Sequence, residues 1–140
     1  MGRVLSKDEA EEEMTGYRIK VKEGRFAIEA HIEEIGPDLL VSIRGGSKPH
    51  IGAIGMATPR PSLKDSKRWS ATSSNLTFIG HKEDLLVKRI SEELAAQLKR
   101  HVVVVAGLHW EGVTSRELEA IESLTEKLVL RILKKLKEKD

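Results

Sequence analysis

The chain has no cysteine, so disulfide frameworks, thiolate metal sites and cysteine nucleophiles are all excluded. Aromatic residues make up only 4% of it, too few for a platform of stacked single-stranded bases. Asparagine and glutamine occur once each, as Asn75 and Gln97, against a heavy load of glutamate, lysine and arginine, a balance expected of a thermophile's protein. No apolar run approaches the roughly 20 residues of a membrane-spanning helix. The first residues, MGRVLSKDEAEEEM, are acidic and lack the apolar centre of a signal peptide, so the cytoplasm is the expected setting. A net charge of +2 is too small to argue for nucleic acid, and neither nucleic acid nor a membrane is expected as a partner.

What is present suits one globular domain. The chain has 140 residues, 33% of them charged and 39% hydrophobic, enough for one core and not for two. Residues 1–14 read as an acidic flexible tail, and 15–140 as a single domain. Tyr17, Ile19 and Val21 alternate with basic residues, and Phe26, Ile28, Ala30 and Ile32 alternate with a set that includes Glu29, His31 and Glu33; Glu23-Gly24 turns one strand into the other. Gly36-Pro37-Asp38 leads into DLLVSIRGGSKPHIGAI, an apolar strand, a glycine loop and a second strand of small residues from Ile51 to Ala57. Pro59-Arg60-Pro61 predicts a loop extending to about Arg68, and Trp69–Ile79 a further strand. From His81 to about Arg100, Leu86, Ile90, Leu94 and Leu98 form a helical stripe with Gly80 as its N-cap. Val102–Ala106 is a β-branched run expected at the centre of a sheet. Thr114–Glu117, TSRE, matches a capping box opening a long last helix with Leu118, Ile121, Leu124, Leu128, Ile132 and Leu136 on one side. Strands first, then helix, strand, helix, predict an α+β fold: a mostly antiparallel sheet of about five to six strands with two long helices packed on it.

Three stretches carry chemistry. Gly45-Gly46-Ser47-Lys48 offers backbone N–H groups, a hydroxyl and a cation to an anion, yet read alone it is better taken as an ordinary glycine turn between strands. Gly80-His81-Lys82-Glu83-Asp84 places N–H groups and Lys82 at a positive helix end, although Glu83 and Asp84 can complement that dipole themselves. His109 leaves the central strand beside Trp110, placed for a cleft or for a hydrogen bond at the core edge. His50, His81 and His109, with Asp84, form a conceivable metal set, but their spacing matches no known metal motif, so none is expected. His31 and His101 read as surface or edge residues. No serine sits in a nucleophile elbow, and no paired carboxylates stand apart from the glutamate background.

Taken together, GPDLLVSIRGGSKPHIGAI, FIGHKEDLL and VVVVAGLHWEGVTSRELEAI resemble the small D-subunit family of hydroxyarylic acid (gallate-type) decarboxylase systems, described as prenylated-flavin chaperones. The likeness runs from about Ile32 to Ile121 and leaves out the acidic tail, the PRPSLKDSKRW stretch and the basic end of the last helix. It implies an accessory protein rather than an enzyme, one that binds prenylated FMN or FMN and assists a UbiD-like decarboxylase. The residues it points to for the cofactor are Gly45, Gly46, Lys48, His50, Gly52, His81, Lys82 and His109, with Gly55, Leu108 and Trp110 as further wall. Two other readings stand beside it: a small metal- or phosphate-dependent enzyme using His50, His81 and His109, and a cofactor-free assembly factor. A homodimer is expected, because two helices do not cover every edge and face of such a sheet.

Overall fold

The computed structural model describes residues 16–78 and 83–138. Six strands and two helices follow in the order β1 (Gly16–Glu23), β2 (Phe26–Ile35), β3 (Asp38–Gly46), β4 (Ala53–Pro61), β5 (Trp69–Thr77), α1 (Asp84–Leu98), β6 (Val102–His109) and α2 (Ser115–Glu138). The expected acidic tail, together with His81, Lys82 and the proposed cap Gly80, lies outside the described residues.

The sheet order is β1-β2-β3-β6-β4-β5. Neighbours are antiparallel except β3 and β6, which run parallel with Leu39 beside Val102 and Gly46 beside His109. The valine-rich β6 is therefore central, as its β-branched run requires, and the fold is the expected α+β arrangement. Alternation sorts each strand into two faces. Ile28, Ala30 and Ile32 of β2, Val41 and Ile43 of β3, and Val102, Val104 and Ala106 of β6 are buried in one core with both helices. The opposite face carries Ser42, Val103, Val105 and Ile54, each half-buried, and Met56, which is exposed.

α1 buries Ile90 and Leu94 of the expected stripe, with Leu86 and Leu98 partly buried beside the core, and adds the smaller Val87, Ser91 and Ala95. Small residues on that face let it lie close: a Cβ on Gly55 of β4 would stand 2.7 Å from the Val87 carbonyl oxygen. The room that sequence reading saw above Gly55 is thus filled by the helix. α2 begins with the expected capping box, the Thr114 N–H donating to Glu117 Oε1 at 3.1 Å and the Glu117 N–H to Thr114 Oγ1 at 3.2 Å. Its buried side, which includes Leu124, Leu128, Ile132 and Leu136, packs against β1 and β2.

Several boundaries differ from the expectation: β4 starts at Ala53 rather than Ile51, and α1 is capped by Glu83 and runs Asp84–Leu98. Pro59, Arg60 and Pro61 belong to β4, paired with Ala71, Ser70 and Trp69 of β5, so the loop is shorter and starts at Ser62. No helix among the described residues is long and apolar enough to cross a membrane.

Candidate functional site

Because β3 and β6 are parallel, their C-terminal ends open at the same end of the sheet, the usual place for a ligand outside parallel strands. Three segments converge there. The 47–52 loop is tied across the end of β6 by Ser47 N–H donating to the His109 carbonyl at 3.0 Å and Gly52 N–H to the Ala106 carbonyl at 2.9 Å. It crosses so closely that a Cβ on Gly107 would stand 1.8 Å from the His50 carbonyl oxygen, so only glycine fits at 107. The start of α1 brings in the third piece, Glu83, which is the N-cap residue and is buried.

His50 and Glu83 form the inner part of this end. His50 Nδ1 lies 2.8 Å from the Lys48 carbonyl oxygen, which can only accept, so Nδ1 carries a hydrogen and donates. His50 Nε2 lies 3.1 Å from Glu83 Oε1, and the same oxygen accepts the Leu108 N–H at 3.2 Å. One carboxylate thus joins the glycine loop, the end of β6 and the start of α1. Gly52 makes room for it: a Cβ there would meet Glu83 Oε2 at 2.4 Å. The space that sequence reading left over Gly52 is filled by this side chain.

The outer part is exposed and charged. His109 Nε2 pairs with Glu111 Oε1 at 3.0 Å, and Lys48 Nζ stands 3.7 Å from the same oxygen. The His109 hydrogen bond, helped by the charges of His109 and Lys48, holds the Glu111 carboxyl below the usual carboxylate range. His50 and His109 are thus turned to different acids, one inward and one outward. Among the described residues no group of three or more histidine and acidic side chains is arranged to hold a metal.

Beside the loop lies a cavity of about 460 Å³, lined by Lys20, Arg25, Ala27, Glu29, Arg44, Gly45, Gly46, Ser47, Pro49 and Trp110. Register explains its charge: Lys20 of β1 faces Glu29 of β2, which faces Arg44 of β3. Glu29 is already neutralised, its carboxyl held low first by the His31 hydrogen bond at 2.6 Å and then by the charge of Arg18 at 2.9 Å. Arg25 binds Glu117 at 3.1 Å and the Glu111 carbonyl at 3.0 Å, fixing the β1–β2 turn to the start of α2. Lys20 and Arg44 form no ion pair among the described residues, and the cavity keeps a positive surplus. Trp110 supplies the apolar wall, standing edge-on to Phe26 with ring centroids 5.2 Å apart.

Of the residues expected to bind a cofactor, Gly45 and Gly46 line this cavity, while Lys48, His50, Gly52 and His109 surround it at the same sheet end without lining it. His81 and Lys82 fall outside the described residues. Lys20, Arg25, Glu29, Arg44 and the buried Glu83 were not expected. Only the register Lys20–Glu29–Arg44 reveals the first group, whereas a glycine before a small-residue strand, facing an acid at a helix start, was a faint sign of Glu83. A volume within the roughly 300–1,000 Å³ of cofactor pockets, surplus positive charge and an indole wall fit an anionic, ring-bearing ligand.

A single mixed sheet with both helices on one face and a cationic, glycine-edged cavity at the mouth of its parallel pair defines a small α+β domain. The chain belongs to the prenylated flavin chaperone LpdD-like domain family, whose pattern its residues 22–137 match. It is 23% identical over 108 residues to Protein LpdD of Lactiplantibacillus plantarum, covering 77% of this chain and 76% of that one. A looser likeness, at TM-score 0.44 and 15% identity over 89% of this chain and 94% of the other, is to a chain in the crystal structure of a chaperone complex for yeast 20S proteasome assembly.

Proposed function

We propose that this protein is a non-enzymatic chaperone that binds prenylated FMN, or FMN itself, at the open end of the β3–β6 pair and passes it to a UbiD-like decarboxylase. Family membership supports the prenylated-flavin role. The observation that carries the placement is the cavity in which Lys20, Arg25 and Arg44 face the Gly45-Gly46-Ser47 turn, with Trp110 as wall. A flavin mononucleotide needs a cationic subsite for its phosphate and an apolar surface for its ring, and this cavity offers both. Lys48, one residue past the turn, adds positive charge beside it.

The chain's own residues divide the work. Lys20 and Arg44 neutralise phosphate, the indole shields one side of the ring from water, and the Glu83–His50 link holds the loop in place. The prenylated flavin supplies the decarboxylation chemistry only after it reaches the client enzyme. The enzyme reading finds less support, since a shared metal would have to pull His50 from Glu83 and His109 from Glu111.

Titration of FMN and riboflavin against the parent protein and its Arg44→Ala and Lys48→Ala variants tests this reading. Losing a charge-assisted hydrogen bond should weaken FMN by about tenfold or more and leave riboflavin nearly unchanged. Equal losses for both ligands would place the phosphate elsewhere. Absence of flavin binding, including in protein purified alongside a flavin prenyltransferase and checked by its visible spectrum, would leave the cofactor-free assembly factor.

A further inference from the structure

Among the described residues that line the cavity, Glu29 is the only acid, and a carboxylate there opposes the binding of any anion. Its two oxygens are in different situations. Oε1 takes both partners, His31 Nε2 at 2.6 Å and Arg18 Nε at 2.9 Å. Those two residues face each other across β1 and β2, one step along the sheet from the cavity, and neither lines it. Oε1 is therefore drawn away from the cavity. Oε2 takes no hydrogen bond among the described residues and is left towards it, on a side chain still 25% exposed.

From this arrangement we infer that Glu29 reads the hydroxyl groups of the ligand: Oε2 accepts a hydrogen bond from a hydroxyl beside the phosphate, so that the cavity selects phosphate esters of polyols over those of plain alcohols. The inference rests on the flavin reading above and adds the residue that chooses among phosphorylated ligands. The His31 hydrogen bond, and then the charge of Arg18, hold the carboxyl below the usual carboxylate range, so it is ionised at neutral pH. An ionised carboxylate only accepts, so what it recognises must donate. A phosphate dianion has no proton to give and is repelled. In register Glu29 stands between Lys20 and Arg44, so a phosphate held by either cation lies to one side and brings the carbons next to it over Glu29. In a flavin mononucleotide those carbons are the hydroxyl-bearing ribityl chain, which leads from the phosphate to the ring. Ala27, Gly45 and Gly46, with little or no side chain, leave room for that chain between Glu29 and the Trp110 wall.

Ribitol 5-phosphate and n-pentyl phosphate carry the same phosphate on a five-carbon chain and differ in their hydroxyls. With each competed against FMN in a fluorescence titration, the parent protein should prefer the polyol ester by roughly tenfold or more. In Glu29→Gln the amide oxygen can stay with Arg18 and His31, and its NH2, a donor, takes the place of Oε2. That variant should bring the two esters within about threefold of each other, and bind pentyl phosphate at least as well as the parent, because a negative charge has gone. Glu29→Asp keeps the charge but withdraws it by one methylene, and should lose the preference without that gain. Circular dichroism and urea midpoints check that both variants fold. A parent protein that binds FMN without distinguishing the two esters would overturn the role of Glu29, leave the flavin reading standing, and needs no variant to show it. Equal losses of both esters in folded Glu29→Gln would mean that Glu29 only shapes the cavity, and would overturn the inference, as would a preference kept in that variant. A parent protein that binds neither FMN nor either ester would remove the flavin reading and this inference together.

Discussion

Glu83 shows how much one side chain can organise. Its carboxylate accepts from the Leu108 N–H, pairs with His50, and lies where a side chain on residue 52 would have to go. Gly52→Ala should therefore force the carboxylate away and cost about 1–3 kcal/mol, read from urea midpoints. Combining it with Glu83→Ala should cost less than the sum of the two single changes, because the clash is then gone. Full additivity would show that the two residues do not meet. Acid titrates a different set. Glu29 is held low first by His31, and Glu117 first by Arg25; at Glu92 burial acts in the opposite direction but is outweighed by Lys88 and Ser73. A carboxyl with a depressed folded pKa contributes stability above its unfolded value, about 4.3 for glutamate, and loses it as pH falls through the folded value. Urea midpoints should hold from neutral pH to about 5 and drop below about 4.5, less steeply for Glu29→Gln. A midpoint flat to pH 3 would contradict these shifts. At this scale the sequence was half legible. The glycines and histidines announced a meeting point, but Glu83 looked like any acid at a helix start, because the gap that accepts it comes from a strand far away in the chain.

Elements were easier to read where their signals are local. The TSRE box closes on itself within one turn, so it could be recognised without any tertiary knowledge. Thr114→Ala should remove one arm of it and destabilise the protein by about 1 kcal/mol; because Glu117 also holds Arg25, Glu117→Ala should cost more. Equal midpoints for the two variants would mean that the Arg25 contact contributes nothing. The two prolines of β4 show where local signals mislead. Proline breaks a strand when its missing N–H would have donated to a neighbouring strand, but β4 pairs with β6 only from Ala53 to Ala57. Pro59 and Pro61, two apart and so facing the same way, lie beyond that stretch and keep β5 as their only partner. The parallel β3–β6 pair was equally hidden, since its two strands are separated in the chain by β4, β5 and α1.

The whole molecule has two unlike ends. One gathers the 45–52 turn, Glu83 and Leu108–Glu111; the other is closed by Arg100, which donates to the Pro37 carbonyl at 2.7 Å and to Glu34 at 2.9 Å. A ligand seated at the first end should stabilise the fold globally and protect it locally. If only the folded state binds, FMN at a hundred times its dissociation constant should add about 2.7 kcal/mol to unfolding, and riboflavin at equal concentration less. Amide exchange should slow at residues 44–48 and 107–111, where the backbone borders the cavity. The turn at Gly36-Pro37 and the α1–β6 connection should exchange as before, because they sit at the far end of the same strands. Hydrogen exchange followed by mass spectrometry, with and without ligand, separates the possibilities. Protection at the Arg100 end would move the site across the molecule, to the smaller groove formed there by Ile35, Leu40, Met56 and Val103. Uniform slowing over all strands would mean that exchange proceeds only through global unfolding, and the Arg44→Ala titration would then carry the assignment alone. Slowing confined to the glycine turn and the end of β6 would fix the ligand at the mouth of the parallel pair, the one end where backbone glycines, surplus positive charge and an indole meet.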